Sequence, residues 1–270
     1  MPGQYIQLGY GQLAIATSLI LISGLISILL RLGLERRLAL ASIRTVVQLL
    51  LVGKVLEWIF APGRAWYIVL ALMAGMTLIA GGAAVGRTER PYRGIWLDSV
   101  VSMWASSWLI AAVAPFGVVQ IQQAGQSWCQ PQYAIPLLGM ILGNTLNGIS
   151  LGMDRLGNEL ASKRDQVETL LALGATRWEA ARASIQQAVR TGMIPTINSM
   201  MIVGLVSLPG MMTGQLLSGT LPVQAVMYQI VIMFLLAAGT SLGTVSVVLL
   251  GYRRLFTAEH RFLPARLLKR

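Results

Sequence analysis

Long apolar windows alternate with arginine-rich connections along this chain. A membrane-spanning helix needs about 20 predominantly apolar residues, and seven windows reach or approach that length. They cover approximately residues 8–30, 44–61, 66–86, 97–119, 133–153, 193–216 and 222–251. Because 55% of the residues are apolar and only 11% are charged, no room is left for a separate soluble domain. We therefore predict an all-α polytopic membrane protein in which residues 1–270 form a single transmembrane domain.

The basic residues predict how these helices are oriented. Nineteen of the 21 lysine and arginine residues follow the first, third, fifth or seventh window, so they fall on alternate connections. Because basic loops are retained in the cytoplasm, the pattern predicts seven transmembrane helices with the N-terminus outside and the C-terminus inside. Residues 252–270 then form a basic cytoplasmic tail, in which the single histidine, His260, is interpreted as solvated. The net charge of +11 is explained by loop retention, and we expect no nucleic-acid partner.

The predicted cytoplasmic connection 154–192 is the longest, and it has helical periodicity. Its apolar residues recur at helical spacing between charges; they are Val167, Leu170, Leu171, Trp178, Ala181, Ile185 and Val189. Gly174 is suited to a helix end that needs a positive φ, and Thr176 can cap the helix that follows. The pattern leaves two interpretations open. The apolar face packs on the membrane or on the protein itself, or it enters a groove on a partner.

Several windows carry polar side chains where lipid would favour leucine or valine. Gln48 lies in the second window, Asn144 and Asn147 in the fifth, and Asn198 and Ser199 in the sixth. Such groups bond to neighbouring helices or line a water-filled pathway. Both roles stay open, and these five residues are the candidates for a translocation pathway.

The sixth window is interrupted by a proline–glycine pair. Proline removes a helical hydrogen bond and glycine adds backbone freedom, so the pair predicts a kink or a broken helix that acts as a gate. The candidate gate comprises Ser207, Pro209, Gly210, Met211 and Met212. Thioethers in this region, including those of Met200 and Met201, suit soft ions such as Cu(I) better than Fe(II). Methionine is also an ordinary filler of helix interfaces, so the metal ligands stay unknown.

The motif search favours a chain that does not power itself. The sequence contains no nucleotide-binding P-loop, no H-E-x-x-H and no G-x-S-x-G motif. With one histidine, one cysteine and few intramembrane acids, it offers little for catalysis or for proton-coupled transport. We predict that the chain is not an enzyme and binds no cofactor of its own.

The segment ETLLALGATRW (168–178) resembles the cytoplasmic coupling loop of ABC-transporter permeases. In that loop an acid is followed six residues later by glycine and then by a second amphipathic stretch. The resemblance implies that an ATPase subunit binds the loop through residues that include Glu168, Leu171, Gly174, Ala175, Thr176 and Trp178. ATP and magnesium would then reside on that partner.

A more specific resemblance covers the sixth and seventh windows. IPTINSMMIVGLVSLPGMMTGQ (194–215) and PVQAVMYQIVIMFL (222–235) closely resemble the iron-export ABC permeases of bacteria and their plant relatives implicated in aluminium tolerance. RTVVQL (44–49) and the segment 135–144 fit the same family. The resemblance extends from about residue 35 to about residue 255 and is weakest in 61–132.

This resemblance implies a permease homodimer in the bacterial inner membrane that exports iron or a related metal ion with the energy of a partner ATPase. Two alternatives stay open. The cargo is a nucleotide-sugar or another organic metabolite, or the chain is a channel or carrier that needs no ATPase. In the last case the amphipathic helix packs on the protein's own membrane domain.

Overall fold

The computed structural model describes residues 9–60, 66–114 and 131–268, and within these ranges the chain is helical. The helices are α1 (Tyr10–Leu29), α2 (Glu35–Phe60), α3 (Trp66–Gly86), α4 (Ile95–Val113), α5 (Pro131–Ser162), α6 (Arg164–Ala172), α7 (Arg177–Ile202), α8 (Gly210–Leu217) and α9 (Pro222–Leu255). The predicted all-α class is confirmed. The ends of the predicted fourth window and of the basic tail lie outside the described residues.

Five of these helices, α2 to α5 and α9, are long and apolar enough to cross a membrane. The predicted first span is represented by a shorter apolar helix, Ile15–Leu29. The predicted sixth span differs from the others because it is divided between the end of α7 and α8, which has only eight residues. Length and composition therefore support a polytopic protein with five spans, and the count of seven stays a prediction.

The segment 154–192 is largely helical, as its periodicity predicts, and much of it continues the neighbouring helices. α5 continues to Ser162 and α7 begins at Arg177, so most of this segment extends the neighbouring helices and only α6 lies between them. α5 continues beyond residue 153 because its apolar residues there, such as Leu156 and Leu160, are buried although charged residues lie between them in the sequence. The 32 residues of α5 span about 48 Å, well beyond the roughly 30 Å hydrocarbon core of a bilayer.

The chain divides into two compact units, Met1–Ala65 and Trp66–Arg270. In the first unit, α1 and α2 are joined by a short turn. The Ser27 hydroxyl donates to the Glu35 carboxylate (3.2 Å) and accepts from the Leu34 N–H (3.1 Å). These bonds hold the end of α1 against the start of α2. The prediction of one transmembrane domain is left open by this division.

In the second unit, α5 is central and packs against α3, α4, α7 and α9. Gly239 of α9 lies against Ile141 of α5, and further along Val248 lies against Gly152, so these two helices run in the same direction. α7 returns alongside α5 in the opposite direction after the turn through α6. The three helices α5, α7 and α9 form the framework on which the candidate sites lie.

The closest approach of these three helices requires glycine. A Cβ atom at Gly192 would lie 2.7 Å from the Gly148 carbonyl oxygen and 2.6 Å from Cγ2 of Thr244. A Cβ atom at Gly148 would lie 2.5 Å from Oγ1 of Thr244. Because the obstacle at Gly192 includes backbone, a side chain there forces the helices apart.

Three basic connections of this unit meet at one end of the helices, which we call the basic end: residues 87–94, residues 163–176 and the tail 256–268. The Glu89 N–H donates to the Asp154 carboxylate at 2.8 Å. The tail is hydrogen-bonded to the first of these connections, because the Leu268 N–H donates to the Pro91 carbonyl at 2.8 Å. The buried Asp98 carboxylate pairs with the Arg254 guanidinium at 2.6 Å. This convergence agrees with the predicted placement of these connections on one side of the membrane.

We predict that Gly192→Ala destabilises the protein by about 1–3 kcal/mol, since the added methyl overpacks the helix crossing. Gly143→Ala in α5 is the matched control, because its new Cβ meets nothing within 4 Å. The control exchanges glycine for a better helix former and should be neutral or stabilising. Thermal unfolding of the purified variants in detergent measures the difference. Equal midpoints for the two variants would contradict the assigned crossing.

Candidate functional site

The turn between α6 and α7 is built by Gly174. Its φ is +92°, a left-handed conformation that glycine adopts without steric cost. The Ala175 N–H donates to the Leu170 carbonyl (3.0 Å) and the Gly174 N–H to the Leu171 carbonyl (3.1 Å), which closes the end of α6. The predicted helix break at Gly174 is confirmed.

Thr176 caps α7, as its position in the sequence predicts. Its hydroxyl oxygen accepts from the Glu179 N–H at 3.3 Å, and the Glu179 carboxylate accepts from the Thr176 N–H at 2.8 Å and from its hydroxyl at 2.7 Å. This reciprocal capping box satisfies donors that the helix leaves unpaired. The bonds from Thr176 lower the pKa of the Glu179 carboxyl below its ordinary value.

The surface formed by residues 168–178, which we call the coupling turn, presents apolar side chains at the basic end. Leu173 is 79% exposed, and Leu170 and Trp178 are also exposed. The predicted contact residues Leu171 and Ala175 are half-buried, and Glu168 pairs with Arg164 at 2.7 Å. Leu173 is the most exposed of these side chains, although the sequence did not single it out. An apolar cluster on a capped turn is a suitable docking surface for a protein partner.

The tail braces the start of α7, a contact that sequence reasoning missed. The Arg177 N–H donates to Nδ1 of His260 at 3.0 Å, and the Arg177 guanidinium donates to the Thr257 carbonyl at 3.1 Å. The Trp178 ring and the Tyr252 ring of α9 form a T-shaped contact, with centroids 5.8 Å apart. His260 is exposed as predicted, but it adopts a φ of +58° and accepts a specific hydrogen bond. We call these contacts the tail brace.

The five candidate pathway residues have different environments. Asn144 donates to the Met140 carbonyl of its own helix at 3.0 Å, and Asn147 accepts from the Arg87 guanidinium at 2.8 Å. Gln48 is exposed in the first unit. Asn198 and Ser199 are exposed on α7, and neither side chain has a hydrogen-bond partner among the described residues. The pathway role of all five stays a prediction.

Asn198 lies on an exposed apolar surface, which we call the α7 face. Ile194, Ile197, Met201 and Ile202 are its exposed neighbours on the same helix. An amide facing hydrocarbon without a partner costs several kcal/mol. The α7 face therefore needs a polar partner, either water in a pathway or another protein surface.

The predicted break in the sixth span is confirmed, but it begins earlier than the proline. α7 ends at Ile202, and Gly204 follows with a φ of +82°. A left-handed glycine just after a helix is a common terminator, which is why the break precedes Pro209 by several residues. Pro209 is the N-cap residue of α8, which begins at Gly210.

The other candidate gate residues have different environments. Ser207 is exposed. Met211 packs against a buried apolar cluster that includes Ile110, Ile232 and Leu235. Met212 lines a cavity beside the break. No group of three or more histidine, cysteine or acidic side chains is placed to hold a metal ion in the described residues.

We predict that Thr176→Ala frays the start of α7. Loss of an N-cap costs about 1 kcal/mol, so the amide protection factors of residues 177–180 should fall roughly fivefold. Thr169→Ala is the control, because the Thr169 hydroxyl only donates to a carbonyl within α6. Hydrogen exchange followed by mass spectrometry measures both variants.

The cap also has a defined pH dependence. Because the folded-state pKa of Glu179 is lowered, its contribution is fully present above the unfolded-state pKa. It is lost as the pH falls through the folded-state pKa. The capping role would be contradicted if the amide protection of residues 177–180 did not change as the pH falls through the folded-state pKa of Glu179. An equal loss of this protection in Thr169→Ala would also contradict it.

Comparison with known proteins places the chain in a family. The model of the Uncharacterised protein family (UPF0014) matches residues 10–256. A membrane protein of that family from Synechocystis sp., slr1647, is 38% identical over 86% of this chain and 88% of its own length. The probable iron export permease protein FetB of Escherichia coli is 32% identical over 96% of both chains. STAR2, a UPF0014 membrane protein of Oryza sativa, is 31% identical over 93% of this chain and 85% of its own length.

No solved structure matches the chain. The family match nevertheless extends from the start of α1 to the end of α9, so it covers every span discussed above. The first two relatives are named as a membrane protein and a permease, and the similarity covers 88% and 96% of their own lengths. The chain is therefore a multi-pass integral membrane protein that belongs to the UPF0014 family.

Proposed function

We propose that this chain is the membrane subunit of an ATP-driven exporter of iron or a related metal ion, with ATP hydrolysed by a separate ABC ATPase. The coupling turn is the observation that carries the proposal, because it exposes apolar side chains on a capped turn at the basic end. The similarity to a protein named as a probable iron export permease supports the cargo.

The proposed topology has seven crossings: α1, α2, α3, α4, α5, the α7–α8 pair and α9. The basic end lies in the cytoplasm under the positive-inside rule. This places the coupling turn on the side of the membrane where ATP is available. The first and sixth crossings are part of the proposal. The apolar helix of the first is short, and the sixth is divided between α7 and α8.

The ATPase is proposed to receive the coupling turn in a groove. Leu173 and Trp178 are the proposed anchors, since exposed apolar side chains of a helix enter such grooves and tryptophan is enriched among the residues that dominate binding energy. Glu168, Gly174 and Thr176 then shape the turn rather than bind tightly. The ATPase also carries the ATP and the magnesium.

Closure of the ATPases on ATP would be transmitted through α7. Its 26 residues extend for about 39 Å from the coupling turn. The tail brace attaches its start to α9, so a force at the turn displaces the ends of both helices. The break between Ile202 and Gly210 allows the outer part to move separately, and this is the proposed gate.

A permease homodimer is proposed because two ATPases close on two nucleotides together. The α7 face is the surface that would line the central pathway or contact the second copy there. Asn198 and Ser199 supply polar groups for this purpose. Neither residue has a partner within the described part of one chain, in contrast to Asn144 and Asn147.

We predict that Gly174→Pro abolishes co-purification with the ATPase, because proline cannot adopt the positive φ of the turn. Gly174→Asn is the matched control, since asparagine tolerates the left-handed conformation. Leu173→Glu removes the exposed anchor without touching the fold, and it should also abolish capture. The assay co-expresses the tagged chain with the ABC ATPases of its own genome and identifies the one retained.

Undiminished capture by both Gly174→Pro and Leu173→Glu would show that the coupling turn is not the docking surface. The proposal would also be contradicted if Gly174→Asn abolished capture of the ATPase while Leu173→Glu left it intact. In that case the added side chain, rather than the turn geometry, would be responsible.

For the cargo, we predict ATP-dependent Fe(II) movement out of the cytoplasmic side in proteoliposomes that contain the permease and its ATPase. Asn198→Leu should lower this flux at least severalfold while leaving ATPase capture intact, because the pathway loses its amide. Ile197→Leu is the control on the adjacent position. Flux of UDP-glucose in place of Fe(II) would overturn the metal assignment, and unchanged flux in Asn198→Leu would assign Asn198 to helix packing.

A further inference from the structure

A cavity of about 430 Å³ lies beside the break between α7 and α8. Three methionines line it, one from each neighbouring helix: Met200 of α7, Met212 of α8 and Met233 of α9. Gln229 of α9 contributes the amide group in the wall. We call this space the methionine cavity.

Gln229 of α9 is a buried amide in the wall of the cavity. Its side chain is only 6% exposed, and its Oε1 atom accepts no hydrogen bond within the described residues. A buried acceptor without a partner costs about 1–3 kcal/mol. The oxygen is fully enclosed, so it does not open onto the cavity, and the methionine thioethers are the donors that line the space.

The methionines near the break have three different environments. Met211 packs against the buried apolar cluster and Met201 is 70% exposed, and neither lines the cavity. Met233 packs against the same cluster and lines the cavity as well. Met200, Met212 and Met233 are half-buried around an open space. Ordinary packing would fill that space with their side chains. Met200, Met212 and Met233 therefore border the cavity, although Met233 also has the core-filling role that methionine usually has.

The end of α7 adds partial negative charge near the cavity. Met200 lies in the last turn of the helix, where carbonyl groups lack intrahelical donors. The Gly204 N–H, which would continue the helix to Met200, donates instead to the Ser207 carbonyl at 2.9 Å. A helix C-terminus carries a partial negative charge that favours cations.

We infer that the methionine cavity binds a soft monovalent cation of the Cu(I) class. The ligands are the sulfur atoms of Met200, Met212 and Met233, which line the cavity. Thioethers select soft ions, whereas Mg²⁺ and Fe(II) are better served by oxygen or imidazole ligands. Three rotatable bonds in each methionine allow the sulfurs to close on an ion that is smaller than the cavity.

This inference goes beyond the proposed function, because binding is a property of the chain without its ATPase. Silver binding that survives a failure of Fe(II) export would refute only the proposed function. Fe(II) export without silver binding would refute only the present inference. The two outcomes are therefore distinguishable.

The test is titration of the full-length chain in detergent with Ag(I), a redox-stable soft cation, in chloride-free buffer. The single cysteine, Cys129, lies outside the described residues and is replaced by serine in every sample, because its thiol would also bind silver. Calorimetry should show saturable binding of a single ion. The triple variant Met200→Leu, Met212→Leu and Met233→Leu should bind about tenfold or more weakly, since the thioether donors are lost.

The matched control replaces Met201, Met211 and Met227 with leucine. These residues lie on the same helices but do not line the cavity, and the exchange conserves volume. The control should retain the affinity of the Cys129→Ser reference. Silver-edge X-ray absorption should show sulfur neighbours in the reference and control, and fewer in the cavity variant.

Equal affinities in the cavity and control variants, or no saturable binding in the reference, would overturn the inference. Thermal unfolding checks that each variant is folded. If the triple variant does not fold, Met212→Leu alone replaces it and is compared with Met211→Leu, the adjacent position. The inference then requires weaker silver binding only in Met212→Leu.

Discussion

The close approach of α5, α7 and α9 at Gly148, Gly192 and Thr244 is the constraint on which the rest of the second unit depends. Without a side chain at Gly192, the backbone of α7 reaches the Gly148 carbonyl, and this contact fixes α7 near its middle. The coupling turn precedes that point and the helix break follows it. A helix held at its middle can pass a displacement from one end to the other, so the crossing gives both sites a common support.

The two ends of α7 are held very differently. At its start, the capping box and the tail brace attach Arg177 to α9 and to the tail through several directional contacts. At its end, Ile202 is followed by a left-handed glycine and a segment whose apolar side chains are exposed, including Leu205 and Val206. This contrast between the two ends is what the proposed transmission through α7 requires, because low local contact density permits movement.

The features that the sequence predicted correctly are local ones. Gly174 and Thr176 act on their own turn and cap, so spacing along the chain was sufficient to place them. The break before α8 was predicted at Pro209, but Gly204 ends α7 first, because a glycine can adopt the terminating conformation wherever packing ceases to support the helix. The tail brace at His260 and the joining of Met233 with Met200 depend on which helices lie side by side. No pattern within one segment contains that information.

The methionine cavity and the gate are connected by their position. Its three sulfur donors come from α7, α8 and α9, the elements that meet at the break. Any movement of α7 relative to α9 changes the distance between Met200 and Met233, and with it the number of sulfurs that can reach one ion. A ligand shifts a conformational equilibrium only through different affinities for the two states. The proposed ion would be shared among three separate elements, so its affinity would depend on how those elements are arranged.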